Sequence, residues 1–145
     1  MRIWDYRLLP YLPDLQFKGQ LRELVAIMHD WRDKGKTNHL LINRVMKYPK
    51  NELLRYFLVY EIEYHKRYNR WLTKYWDTIK DFTQDNNSSK GQLYHGWHDN
   101  GYLRVCMANL YEKHKYAIGK SRISNEEWKT LANGYKAITG KEYKV

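Results

Sequence analysis

The chain reads as mainly α-helical, a single compact domain of three principal helices joined by shorter helices and loops. Three observations carry that expectation. Apolar residues recur at three- and four-residue spacing through Leu15 to Arg32, from Asn51 to about Asn69, and again up to about Lys115. Side chains that cap helix starts stand ahead of such stretches at Asp14, Asp99 or Asn100, and Ser124. A length of 145 residues is enough to bury one core but not two.

In chain order, Met1-Arg2-Ile3-Trp4-Asp5 is followed by Leu-Leu-Pro-Tyr-Leu-Pro, whose Pro10 and Pro13 exclude an uninterrupted helix. The segment from Tyr6 to Pro13 is therefore expected to be an extended connector that folds the N-terminus back over the first helix. That helix follows a cap at Asp14, places Phe17, Leu21, Leu24, Val25 and Met28 on one face, and stops at Gly35. The opposite face carries Gln16, Gly19, Glu23, Ala26 and Asp30. Glu23 thus stands in a gap, with Gly19 one turn before it and Ala26 nearly one turn after. Glycine inside a helix costs about 1 kcal/mol relative to alanine and is usually kept for close approach of another group. Two readings follow: a carboxylate onto which something descends, or a solvated surface acid beside a glycine that admits a neighbouring helix.

Beyond Gly35, Thr37 or Asn38 caps a short helix through Leu40, Leu41 and Val45 that ends before Pro49. From Asn51 to about Asn69, with an extension to Lys80, Leu53, Tyr56, Phe57, Tyr60, Tyr64 and Tyr68 share one face, and Leu54, Leu58 and Ile62 widen it. Aromatic residues at helical spacing face other helices more often than they stack on bases, so this stripe is assigned to the core. Trp71, Tyr75 and Trp76 either continue the core or edge a groove. Gln84 to Gly91 is a polar surface loop. His95 and His98 lack the further ligands a zinc site needs, so no metal is expected. A helix capped by Asp99 or Asn100 buries Leu103, Cys106, Met107 and Leu110 and carries Asn109 and Lys113 together on its edge. Ser124-Asn125-Glu126-Glu127 is a capping box that opens a last helix through Trp128 and Leu131. After it, Gly134-Tyr135-Lys136 and Lys141-Glu142-Tyr143-Lys144 alternate lysine with aromatic residues, which suits phosphates and stacked bases or a frayed basic tail.

Twenty-six Lys and Arg against 16 Asp and Glu give a formal charge of +10 and favour a polyanionic partner, nucleic acid or an anionic membrane surface, between which charge alone does not choose. One cysteine, Cys106, excludes an internal disulfide. The chain shows neither the apolar run of a signal peptide nor a stretch approaching the ~18 apolar residues of a spanning helix. A soluble intracellular protein is expected.

An Arg2-Ile3 pair at the N-terminus, followed by Arg22-Glu23-Leu24 inside a long helix, resembles the pyrimidine-dimer DNA glycosylase/AP lyase family of phage endonuclease V type. The resemblance is clear over about the first thirty residues and weaker around Tyr102 to Lys113. It implies a cytoplasmic, nucleoid-associated DNA repair enzyme acting on damaged double-stranded DNA as a monomer, without membrane contact and without metal or organic cofactor. The nucleophile would be the α-amine of Met1, because methionine is generally retained before a residue as large as Arg2. Glu23 would be its acid-base partner, with Arg22 beside it, and Arg2, Gln16, Asn109 and Lys113 would contact DNA. Gln16 replaces a family histidine, Ala26 an arginine near the glutamate, and Asn109 an arginine, which weakens the phosphate contacts implied there. Against the enzyme stands a non-enzymatic DNA- or RNA-binding module, which accounts for the charge and the aromatic residues without using Met1 or Glu23. A protein-interaction module is a third class, and it predicts binding with little salt dependence.

Overall fold

The computed structural model describes residues 2–35, 43–83 and 91–145. All the regular structure among them is helical. Met1, the proposed caps Thr37 and Asn38 with Leu40 and Leu41, and the loop residues 84–90 lie outside the described residues.

The stretch before the first long helix is not extended. Tyr6–Tyr11 forms a 3₁₀ helix, its N-terminus capped by the Asp5 carboxylate, which accepts the Arg7 N–H at 3.0 Å. Pro10 is tolerated because its ring fixes φ close to the 3₁₀ value and its missing N–H removes a single bond from a short segment. Helix α1 spans Asp14–Lys34. Its first carbonyl acceptor is Pro13, bonded by the Phe17 N–H at 2.9 Å. Asp14 is therefore the first helical residue and not the cap, a place where its charge meets the positive end of the helix dipole. The helix ends before Gly35, whose φ of 70° is the left-handed conformation that glycine adopts without strain.

Arg44–Lys47 is a 3₁₀ turn, and α2 then spans Lys50–Tyr68. The extension to Lys80 does not occur as one helix. Asn69 takes left-handed φ of 53° and closes α2, and a separate helix, α3, runs over Thr73–Thr83. The turn between them is tied by Glu61. Its carboxylate is buried and accepts the Leu72 N–H and the Trp76 indole N–H, each at 2.8 Å. The first part of the tyrosine stripe is core, as read from the sequence: Leu53, Tyr56, Phe57 and Tyr60 are buried, whereas Tyr64 and Tyr68 are half-buried and Leu58 and Ile62 fall outside the stripe and are exposed. Burial pushes the Tyr60 phenol up.

Helix α4 spans Asn100–Lys115 and is capped by Asp99, with Leu103, Cys106, Met107 and Leu110 buried. Helix α5 spans Asn125–Thr139 and opens with the reciprocal Ser124–Glu127 capping box. It runs past Leu131, so Gly134-Tyr135-Lys136 is helical and not part of a tail. The residues after it are not frayed at Tyr143, whose ring packs edge-on against Trp128 and Tyr135 with the Arg104 guanidinium 5.5 Å above it.

The contacts divide the chain into two units, Met1–Ile3 with Gln20–His95, and Trp4–Gly19 with Gly96–Val145. In the first, α1 from Gln20 onward packs with α2 and α3 around Leu24, Met28, Leu53, Phe57 and Ile79. In the second, α5 packs on the Tyr6–Tyr11 helix and on α4. The Tyr11 ring lies against the α5 backbone at Gly134, where a Cβ would come within 2.4 Å of it. Among the described residues no helix is long and apolar enough to cross a membrane.

Candidate active site

Helix α1 turns a different side toward its unit than hydropathy alone indicates. Leu24, Ile27 and Met28 are buried, but so is Gln20, at 1 % exposure, while Leu21 and Val25 are half-covered. A primary amide in the buried stripe must satisfy its hydrogen-bonding groups. Its oxygen accepts the Tyr56 hydroxyl at 3.2 Å, and its nitrogen donates to the Arg2 carbonyl at 2.9 Å. The same nitrogen makes a longer contact of 3.4 Å to Glu23 Oε2.

Glu23, one turn along, completes the arrangement. Its Oε2 accepts the backbone N–H of Arg2 at 2.8 Å. Residues 2 and 3 are thereby held on α1 from both sides of the Arg2 peptide, the N–H by Glu23 and the C=O by Gln20. The surface-acid reading of Glu23 fails on this geometry. The carboxylate is half-buried, and burial raises its pKa above the ordinary 4.5. The Arg2 N–H and the charges of Arg2 and Arg22 pull the other way without cancelling the rise. A carboxylate held in this balance takes up and releases a proton nearer neutrality than a solvated one, as acid-base groups require. Among the described residues outside its own helix backbone, nothing lies within 4 Å of where a Cβ on Gly19 would stand, so no described helix is seated there.

The remaining sequence candidates lie as follows. Arg22 is exposed on α1 next to Glu23. Met1 lies outside the described residues. Gln16, Asn109 and Lys113 belong to the second unit. Gln16 is half-buried on the first turn of α1. Asn109 folds onto its own helix, its amide nitrogen donating to the Val105 carbonyl at 2.8 Å. Lys113 is half-buried one turn later, and its carbonyl accepts the Ile123 N–H. His98 is fully buried, its Nδ1 accepting the Tyr6 N–H at 3.2 Å, while His95 is exposed.

Trp71 and Tyr75 edge a groove, whereas Trp76 joins the core against Phe57. The groove is a cavity of about 290 Å³ beside Leu21, walled by Tyr64, Trp71 and Tyr75 and lined also by Arg70 and Lys74. Trp71 stacks on His65 with ring centres 3.9 Å apart. Aromatic faces with cations beside them suit stacked bases and their phosphates.

Gln20 is the buried residue of this arrangement that sequence reasoning passed over. The signal was present, because a lone amide three residues after Phe17 and four before Leu24 occupies a buried helical position. Glu52 and Glu61 on α2 carry the same mark, being acids inside an apolar stripe that prove to be buried and hydrogen-bonded.

Comparison with curated proteins and with solved structures gives no match. The model of the pyrimidine dimer DNA glycosylase family matches residues 1–75, a little over half of the chain. The matched stretch contains Arg2, Gln20, Arg22, Glu23 and the Tyr56 that supports Gln20. This chain belongs to the pyrimidine dimer DNA glycosylase family.

Proposed function

We propose that the protein is a DNA glycosylase with AP lyase activity that uses the α-amine of Met1 as nucleophile and Glu23 as acid-base partner. The observation that carries the proposal is the 2.8 Å bond from the Arg2 N–H to Glu23 Oε2. The α-amine of residue 1 is three bonds from that nitrogen, so covalent geometry keeps the two nitrogens within about 4 Å of each other whatever the torsions. Connectivity alone therefore limits the separation of amine and carboxylate oxygen to about 7 Å, which supports the pairing. An α-amine has a pKa of ~7.7–8 against ~10.4 for lysine, which leaves a useful neutral fraction near neutral pH.

In the proposed reaction the neutral amine attacks C1′ of the damaged nucleotide. The C1′–N bond to the base breaks, and the base leaves with its electron pair and takes up a proton. Ring opening gives an imine between the amine and C1′. Loss of a C2′ proton then expels the 3′ phosphate oxygen, and the strand breaks on that side. Glu23 stabilises the cationic imine and carries protons at both stages. Arg2 and Arg22 hold the neighbouring phosphates, with Gln16, Asn109 and Lys113 as further DNA contacts. Access to C1′ in a duplex requires the nucleotide to be displaced from the stack.

The test is borohydride trapping with a duplex that contains an abasic site or a pyrimidine dimer. The expected result is a covalent adduct on the N-terminal peptide beginning at Met1. Acetylation of the amine should abolish adduct and cleavage while DNA binding persists. An adduct on a lysine would refute the amine while keeping the lyase class, and the absence of any adduct would favour a DNA-binding module.

A further inference from the structure

Between α4 and α5 the chain holds apolar side chains out in water. Ile118 is 90 % exposed and Tyr116 72 %. This segment is structured. Ile123 at its far end is 1 % exposed, and its N–H donates to the Lys113 carbonyl. The Ile123 carbonyl accepts from His114 Nδ1 at 2.9 Å, and the His114 ring stacks on Trp128 of α5. Within the loop, Gly119 takes a left-handed φ of 73°, the Arg122 N–H donates to the Gly119 carbonyl, and the Ser121 hydroxyl donates to the carbonyl of Ile118 itself. The turn is therefore built around the residue that it exposes.

Its surroundings are basic. Lys113, Lys115, Lys120 and Arg122 occupy four of the ten positions from 113 to 122, and no acid falls among those ten. Lys115, Lys120 and Arg122 are exposed on either side of Ile118. An apolar tip flanked by cations matches a duplex groove, where phosphates line both sides and the apolar faces of the stacked bases become accessible when a step opens. Ile suits the tip because its branched Cβ restricts χ1, so little rotamer freedom is lost when the side chain is confined.

We propose that Ile118 is a wedge that enters a base step of duplex DNA and partly unstacks it, with Lys115, Lys120 and Arg122 on the flanking phosphates. The proposal rests on the reading of the protein as a DNA glycosylase and names the residue that would open the stack. Ile118 would be a positioning residue, since it touches no reacting atom.

The experiment uses the full chain and an undamaged duplex carrying 2-aminopurine in a TA step, the kind of step that unstacks most readily. The parent protein should raise 2-aminopurine fluorescence severalfold and shorten the end-to-end distance read by energy transfer between labelled ends. I118S should remove both signals and leave the salt dependence of binding intact, because no charge is lost. I118F should restore them. K120A should keep the fluorescence rise and lower the magnitude of the log–log salt slope by about 0.9. With Ile118 so exposed, the I118S helix content should equal the parent's by circular dichroism. Equal fluorescence and bending for I118S and the parent would overturn the wedge while leaving the glycosylase reading in place. Failure of the parent to bind duplex DNA would overturn both. Capture of the parent but not I118S by anionic phosphatidylserine vesicles, without any fluorescence rise on DNA, would assign the tip to a lipid surface and also overturn it.

Discussion

At the scale of single residues, the proposed chemistry rests on one carboxylate whose environment pulls in two directions. Burial raises the Glu23 pKa above 4.5, and the Arg2 N–H restrains the rise. A raised carboxyl pKa means that the folded state holds the proton more tightly than the unfolded one. Glu23 therefore contributes stability that is full below pH 4.5 and is lost as pH rises through the folded-state pKa. Glu23→Gln removes this titration, so the stability of the variant relative to the parent should increase as pH rises from 4.5 through the folded-state pKa of Glu23 and then level off, as urea unfolding at several pH values would read. In activity the same shift places the acid limb of kcat/KM above that of an ordinary glutamate. Glu23→Gln should lose ~10²-fold or more in excision and strand cleavage with little change in DNA affinity. Variant activity equal to the parent's would remove Glu23 from the chemistry. The sequence announced Glu23 through the small residues around it. It did not announce that the partner of the carboxylate would be a backbone N–H, because hydropathy and spacing carry no record of which peptide group comes to rest against a helix.

At the scale of elements, the long helices were legible because periodicity and caps agreed, as in the Asp99 cap and the Ser124–Glu127 box. Two breaks were not. Pro10 and Pro13 argued against an α-helix but are compatible with a 3₁₀ turn, a distinction that depends on the Asp5 side chain turning to cap it. The end of α2 at Asn69 was masked by continuing aromatic residues, and the stop became plausible only once Glu61 was seen reaching across to Leu72 and Trp76. Removing that carboxylate leaves two buried donors unsatisfied, so Glu61→Ala should destabilise by about 1–3 kcal/mol for each donor left without water. A second element-scale test uses Gly134. At an open helical site, Gly→Ala gains about 1 kcal/mol. Here the added methyl meets the root of the Tyr11 ring, and overpacking typically costs ~1–3 kcal/mol. Gly134→Ala should therefore lower stability in thermal melts, whereas the same change made in a Tyr11→Ala background should no longer be destabilising. A more stable single variant would show that the ring moves aside freely.

For the whole molecule, charge was the most readable property. A formal charge of +10 on 145 residues predicts duplex binding that weakens steeply with salt, each phosphate contact adding about −0.9 to the log–log slope. A flat affinity between low and moderate salt, measured by anisotropy, would remove nucleic acid as the partner. The chain's contacts fall into two units that interleave along the sequence. The chain crosses between the two contact units after residues 3, 19 and 95, and no composition shift marks any of these points. The crossings bear on what proteolysis would leave. A cut after residue 95 yields one fragment, 1–95, that contains every residue of the first unit, Arg2 and Glu23 included. The same fragment carries Leu8, Leu9 and Leu12, whose burial belongs to the second unit and whose packing partners would leave with the other piece. Such a fragment is set up to self-associate through that orphaned leucine segment. Co-expressing residues 96–145 as a separate chain should return it to solution, as complementing halves of one protein do when each holds what the other must cover.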